Sequence, residues 1–485
     1  MLLRDPRWWL CVVASLFLAC GVAVATPESV LEVGFRKQLF VDDFVVAEKN
    51  HVSRELGRVT KENGGEPILT GAHFYGSVHY DEGRFKMWCS RADRKNYLYT
   101  ESTDGVHFDS PREILGVNFF GDINMAVMID PHETDPAHRY KAGFDCLPGP
   151  AAGLAYSADG IHWKPYNNGV SVTYRAADTY NQIVWDEDAK IYRLFTRTDF
   201  GGGRGPKAGT ASKDFEVRGT RSMTNPDVKR KPTDWKLVRH WIFDREGPQE
   251  FRRRQIYALT DTIYHGVHFG TLSVYEWPSD FSEGKIDYHM RHERDVMNYY
   301  IATSRDADEW DLQWVYAQKP IVPRGGDGAF DKDGILPGAT ILTARDRHWL
   351  YYGGLNERHG DPTRPIKHEA AIGLATIRLD GLIYLRAAND ADGVVVTRPF
   401  RLEGPHLEVN VDCRGGEFSV EVLDASGAPI VGFGPGAANR YRSLDHLRLR
   451  PRWKGHADLA EFVGRVIRLK FRLRGSNLYA FQVRP

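Results

Sequence analysis

Aspartates stand just ahead of several apolar, strand-like runs of this chain, and they are its strongest candidates for chemistry. Asp122 precedes Asn124 and the run from Met125 to Ile129. Asp178 is followed by Tyr180 and Asn181, and Asp331 and Asp333 precede Pro337. Glu250 holds the matching place before Gln255-Ile256-Tyr257, while the first such run offers no acid, only His73 and Tyr75. Paired carboxyls, one protonated and one ionised, are the apparatus of general acid catalysis joined to nucleophilic or base-assisted attack. Asp122 and Asp178 fit a nucleophile or base and the acid that orients it, and Asp331 or Asp333 fits the proton donor. The competing reading makes Asp122 and Asp178 turn acids at strand starts, and Asp331 and Asp333 solvated charges beside the glycine-rich 325–328. His73, Tyr75, Asn124, Tyr180, Asn181, Gln255, Tyr257 and His265 have side chains that line pockets, combining flat rings with paired donors and acceptors. Arg253 can grip a carboxylate or sulfate through two N–H groups, although three consecutive arginines also read as a solvated run.

These residues are far apart in sequence, so a repeating fold must collect them. Tyr99-Thr100-Glu101-Ser102-Thr103-Asp104-Gly105 returns as Ala155-Tyr156-Ser157-Ala158-Asp159-Gly160, with weaker echoes near Asp214, Asp306 and Asp380. The first three aspartates are evenly spaced, at positions 104, 159 and 214. Strand, turn and strand in each unit is the mark of a propeller, which gathers the start of every innermost strand around one axis. Val78 to Tyr80, a turn at 81–84, and Phe85 to Cys89 form a predicted hairpin. Similar units begin near Asn124, Gln182, Gln255 and Ala329, which makes five. The basic stretch from Arg218 to Pro248 interrupts the period and reads as a long loop or extra hairpin. Asp159 is expected to cap its own turn. Near 387–394 the composition turns polar. Beyond it, Leu407 to Val411, Phe418 to Val422 and Leu469 to Leu473 alternate with period 2, as strands of a small antiparallel sandwich do. The expected fold class is all-β: a five-bladed β-propeller over 32–386 and a C-terminal β-sandwich over 395–485.

With 485 residues, 42% of them hydrophobic, and zero formal net charge, the chain can bury a large core and lacks the basic excess that nucleic acid or an anionic membrane demands. Arg4 and Arg7 precede an apolar run from Trp8 to Val24, and Ala23-Val24-Ala25 fits a cleavage site, so residues 1–25 read as a signal peptide and the protein as secreted or periplasmic. Three cysteines remain after it, Cys89, Cys146 and Cys413; they form no disulfide framework and are expected to be small buried hydrophobes. No metal spacing is present and no cofactor is expected, although a structural calcium on the axis would need only scattered oxygen ligands.

The phrases Gln38-Leu39-Phe40-Val41-Asp42-Asp43, Phe85-Lys86-Met87-Trp88, Ser157 to Trp163, Gln255-Ile256-Tyr257 and Leu350-Tyr351-Tyr352-Gly353-Gly354 resemble the five-bladed propeller glycoside hydrolases that hold families 32 and 43. The chain is most similar to exported bacterial proteins described as family-32-like. The resemblance implies a carbohydrate substrate, of plant or algal origin, cleaved by two carboxylates in the axial pocket. Departures are clear. The Trp-Met-Asn-Asp-Pro-Asn-Gly block that opens family 32 is missing. Ile129-Asp130-Pro131 and Phe144-Asp145-Cys146 imitate two family motifs within a single unit, so Asp130 and Asp145 are read as turn and strand-end residues. A non-catalytic carbohydrate-binding propeller, or a lyase or phosphorylase on the same scaffold, are the alternatives.

Overall fold

The computed structural model describes residues 29–91, 96–118, 120–146, 151–173, 179–199, 218–247, 250, 253–277, 295–358, 371–388 and 391–485. It is all-β in several sheets, and among the described residues the one α-helix is Gln313–Tyr316. Three consecutive stretches each form a four-stranded antiparallel sheet. The first is Ala72–Asp81, Arg84–Arg91, Tyr97–Ser102 and Arg112–Glu113. The second is Phe120–Ile129, Tyr140–Cys146, Ala152–Ser157 and Trp163–Pro165. The third is Gln182–Asp186, Ile191–Asp199, Arg218–Asn225 and Lys236–Trp241. The fourth unit, Arg254–Tyr264, Val267–Glu276 and Val296–Ser304, is joined to the fifth by one parallel pairing, Met297 with Gly334. The fifth comprises Gly334–Pro337, Leu342–Ala344, Arg347–Leu355 and Ala371–Arg378, and its edge is completed by Thr60–Lys61 and Leu69–Thr70 from the start of the chain.

Local chemistry explains the hairpins. Glu82 (φ 52°) and Gly83 (φ 80°) make the two-residue turn after Asp81, and His265 (φ 52°) with Gly266 (φ 76°) makes the same turn after Tyr264. Two consecutive residues at positive φ give the turn whose twist matches that of paired strands.

Between the units lie apolar cores, each shared by two neighbours. Trp88 and Tyr99 of the first meet Met125 and Tyr140 of the second. Leu154 meets Ile183 and Leu194, Phe195 meets Ile256 and Val274, and Phe269 and Tyr299 meet Ile335 and Leu350. The fifth unit then shares Trp349, Tyr351 and Leu374 with Phe74, Phe85 and Met87 of the first. Buried large side chains of this kind contribute about 1.5–3 kcal/mol each.

Two further six-stranded sheets enclose one core containing Phe400, Phe418, Phe471 and Phe481. They hold the strands expected after residue 395, and also Gln38–Leu39, Val46–Asn50, Val52–Leu56 and Ile383–Ala387. The expected division at 386–395 therefore does not separate the sheets: Gln38 pairs with Phe481, and Leu385 pairs with both Arg54 and Leu478. The basic stretch from Arg218, expected as a long loop or extra hairpin, is a hairpin of Arg218–Asn225 with Lys236–Trp241, but it does not interrupt the period. Met223 lies opposite Leu194 in full register, so this segment supplies the third and fourth strands of the third unit. The echo around Asp214 lies outside the described residues.

Candidate functional site

One small cluster draws on all five units. Tyr75, Ala126, Tyr180, Tyr257, Tyr275, Met297, Leu336 and Ala339 pack together and are buried. Tyr75 lies 4.8 Å from Tyr180 and 6.1 Å from Tyr257, and Tyr257 lies 4.8 Å from Tyr275. Backbone and amide bonds fix this hub. Gln182 Nε2 donates to Asp261 O at 2.8 Å and to Ala339 O at 2.7 Å, while its Oε1 accepts from Asp261 N at 2.6 Å. Tyr180 Oη and Ala339 N both donate to Gly76 O, at 3.1 and 2.9 Å. Burial raises the pKa of Tyr75, Tyr180 and Tyr275 well above the ordinary phenol, so these rings stay neutral hydroxyls.

The hub's polar rim is where the first strands begin. His73 stacks with Tyr75 at 6.0 Å. Asn124, two residues before Ala126, is fully buried, and neither Nδ2 nor Oδ1 has a hydrogen-bond partner. Asn181 is also fully buried, and its Oδ1 accepts from Thr196 Oγ1 at 2.5 Å. Arg218 lies over the rings of Tyr257 and Tyr275 at 5.3 and 5.6 Å. Asp295, two residues before Met297 and 1% exposed, is close enough to push the Tyr275 phenol upward. Gln255 is buried at the start of its strand.

The expected acids are placed differently from one another. Asp122 lies within the strand Phe120–Ile129; Asp178 lies outside the described residues. Asp331 is 1% exposed, and its Oδ2 meets Lys61 Nζ at 2.5 Å and Tyr352 Oη at 3.0 Å while Oδ1 accepts from Gly325 N at 3.1 Å. It is thus a buried anchor for the edge strand that holds Lys61, and the expectation of a solvated loop charge is corrected. Asp333 pairs with Arg358 Nε at 2.9 Å, and its backbone bridges Met297 N and Leu355 O. Asp331 is tied to the edge strand, whereas Asp333 borders the tyrosine hub through its bond to Met297 N. His265 occupies the hairpin turn at the far end of its strand and accepts from Lys37 N at 3.5 Å, so it is separated from His73 and Tyr75 by the length of the strand. Arg253 is half-exposed and pairs with Glu246 at 2.8 Å.

Asp295 and Arg218 were not anticipated. The signal for Asp295 is that it directly precedes the hydrophobic strand Val296–Ser304, but that strand is the third of its unit and not the first. Glu250 is buried; burial raises its pKa, against the pull of Glu246 N at 2.8 Å and of Arg254. That is the environment of a carboxyl that holds its proton longer than usual. Cys89, Cys146 and Cys413 are buried and form no disulfide, and burial pushes the Cys89 thiol up to about 12. Among the described residues no group of three or more metal-binding side chains converges.

No family model matches the chain, and no curated protein matches its sequence. Solved structures similar to it include a thermostable family-43 glycoside hydrolase (13% identity, 66% of this chain and 93% of that one, TM-score 0.46). Others are the catalytic domain of the Coprinopsis cinerea GH62 α-L-arabinofuranosidase (13%, 71% and 98%, TM-score 0.40) and an N-acetylgalactosamine deacetylase from F. plautii in complex with blood group B trisaccharide (12%, 69% and 97%, TM-score 0.42).

Proposed function

We propose that the five units are the blades of a β-propeller, that the two six-stranded sheets form a β-sandwich beside it, and that the protein is an exported glycoside hydrolase. The substrate is a plant or algal polysaccharide or oligosaccharide, bound where the innermost strands begin. Asn124 carries this reading. A buried amide with neither atom bonded costs about 1–3 kcal/mol per unmet group, and a sugar hydroxyl, donor and acceptor at once, answers both atoms. Tyr75, Tyr180 and Tyr257 add aromatic surface for the C–H face of a sugar ring.

Asp122, Asp178 and Asp295 are the carboxylates of the mechanism, one attacking the anomeric carbon or activating water and the others orienting it. Glu250, with its raised pKa, supplies the leaving-group proton in place of Asp331 or Asp333. Asp331 holds the edge strand, and Asp333 with Arg358 holds the junction of units four and five. A lyase that uses tyrosine as base is disfavoured, because burial has raised the hub phenols and not lowered them. The ion pairs of Asp331 and Asp333 favour one second reading, a propeller that binds saccharide without cutting it.

The test is reducing-sugar release from a panel of plant and algal polysaccharides. Release by the native chain, with at least about a hundredfold loss in Asp122→Asn, Asp178→Asn and Asp295→Asn, is expected. Undiminished release in all three removes the site, and binding without release selects the second reading.

A further inference from the structure

Beside the hub, the upper edge of the fourth unit opens into a cleft of about 480 Å³, lined by Arg253, Arg254, Glu276, Asn298, Gln318 and Arg324 among others. We propose that this cleft receives an anionic group, a carboxylate or a sulfate ester, with the Arg254 guanidinium as its principal donor. The proposal names the substrate class, an acidic saccharide, and rests on the reading above only for the word saccharide.

Arg254 is 3% exposed, and its Nη1 is buried without a hydrogen-bond partner. The nearest carboxylates stand too far off to bond: Glu250 and Glu276 at 3.8 and 3.9 Å from Nε, and Glu246 at 4.0 Å from Nη2. A guanidinium offers only donors, so an acceptor must come to it. Glu276 is already engaged, because its Oε2 accepts from Asn298 Nδ2 and Tyr300 Oη, both at 2.6 Å. The ring of Tyr316 lies 5.3 Å from the Arg254 guanidinium and helps to hold its plane.

The other cations are arranged in the same sense. Arg324 is fixed by Asn298 Oδ1 at 3.0 Å and Lys332 O at 2.6 Å, leaving its charge at the cleft. Burial first and the neighbouring Arg358 second lower its pKa, against the pull of Asp333 and Glu276. Arg253 stands at the rim. Glu246, Glu250 and Glu276 stand 2.8 to 4.0 Å from Arg253 and Arg254, so the charges are matched in number, yet none of these carboxylates reaches Arg254 Nη1. A sugar acid or sulfated sugar brings an anionic acceptor to that N–H group and can take two parallel N–H bonds, which a neutral hydroxyl does not. A volume of this size suits one sugar residue with its acid group.

Isothermal titration of the full chain with galacturonate, galactose 6-sulfate, sodium sulfate and galactose tests the proposal. At least one anion is expected to bind at a single site where galactose does not, and the tighter of the two acid sugars distinguishes carboxylate from sulfate. Arg254→Gln should weaken that affinity about ten- to a hundredfold. If Arg254→Gln does not fold, Arg324→Gln carries the test with a loss of about tenfold. Absence of binding by every anion, equal binding of galactose, or unchanged affinity in the folded variants overturns it. Hydrolysis of neutral glycans with no anion site would leave the proposed activity standing and this inference fallen; anion binding without hydrolysis would do the reverse.

Discussion

The two ends of the repeating units obey opposite rules. At the end where third strands finish, the Ser-x-Asp turns match their own polar groups. Ser102 Oγ donates to Asp104 Oδ1 at 3.0 Å and accepts from the backbone N–H of Asp104 and Gly105 at 3.2 and 2.8 Å. Asp104 Oδ1 accepts from Val106 N and His107 N, both at 2.8 Å. Ser157 with Asp159 repeats the pattern, with both backbone bonds to Asp159 Oδ1 again at 2.8 Å. Ser304 with Asp306 repeats it once more, with Ala307 (φ 60°) where glycine stands elsewhere. Burial works upward on Asp159, but these N–H bonds and His162 carry its pKa well down. At the end where first strands begin, Asn124 and Arg254 are buried with donors or acceptors unmet. A turn is completed by its own chain, whereas a binding site is left for something else to complete.

The contrast sets out what substitutions should do. The largest effect belongs to Asp295→Asn at the open end, which should cut hydrolysis about a hundredfold or more with the melting temperature little changed. Trp88 holds the closed end, where Nε1 donates to Gly160 O at 2.7 Å and the ring is fully buried. Trp88→Ala should cost about 3–5 kcal/mol in denaturant unfolding. Next comes a pH effect. His348 is buried, its Nε2 accepts from Asp380 N at 3.0 Å, and burial lowers its pKa to about 4. A folded pKa below the unfolded 6.5 means that the unfolded chain binds the proton first. The stability it contributes is therefore complete above pH 6.5 and lost as the pH falls toward 4, by an amount on the order of 3 kcal/mol. His348→Gln should flatten that limb of the unfolding curve.

Asp159→Ala should remove about 1 kcal/mol and leave saccharide binding unchanged. Asn124→Leu is the smallest in energy and the sharpest in meaning. It should leave stability equal or raised by up to about 1 kcal/mol, because a buried unmet amide is gone, while affinity falls.

What was legible in the sequence was local. The hairpin at Tyr80 to Phe85 and the cap by Asp159 depend on residues a few places apart, and turn chemistry reports them directly. Pairings across the chain left no such mark. Nothing near Asp331 tells that Lys61, 270 residues earlier, will take its carboxylate. Nothing in Val52–Leu56 tells that it pairs with Ile383–Ala387. The strand Arg218–Asn225 was hidden because its alternation is carried by Thr, Ser and Arg, buried here against neighbouring units. The hub tyrosines Tyr75, Tyr180 and Tyr257 were legible as residues that precede or open inner strands. Tyr275, Arg218 and Asp295 were not, since they enter from the second and third strands.

The most direct measurement is calorimetric titration of the inactive Asp295→Asn protein with the oligosaccharide it would otherwise cleave, alone and combined with Asn124→Leu. Retained binding in the first and a loss of about tenfold or more in the second is the expected result. Equal affinity in the two proteins, both folded, would mean that the sugar sits elsewhere and that the open end of the units is not the binding site.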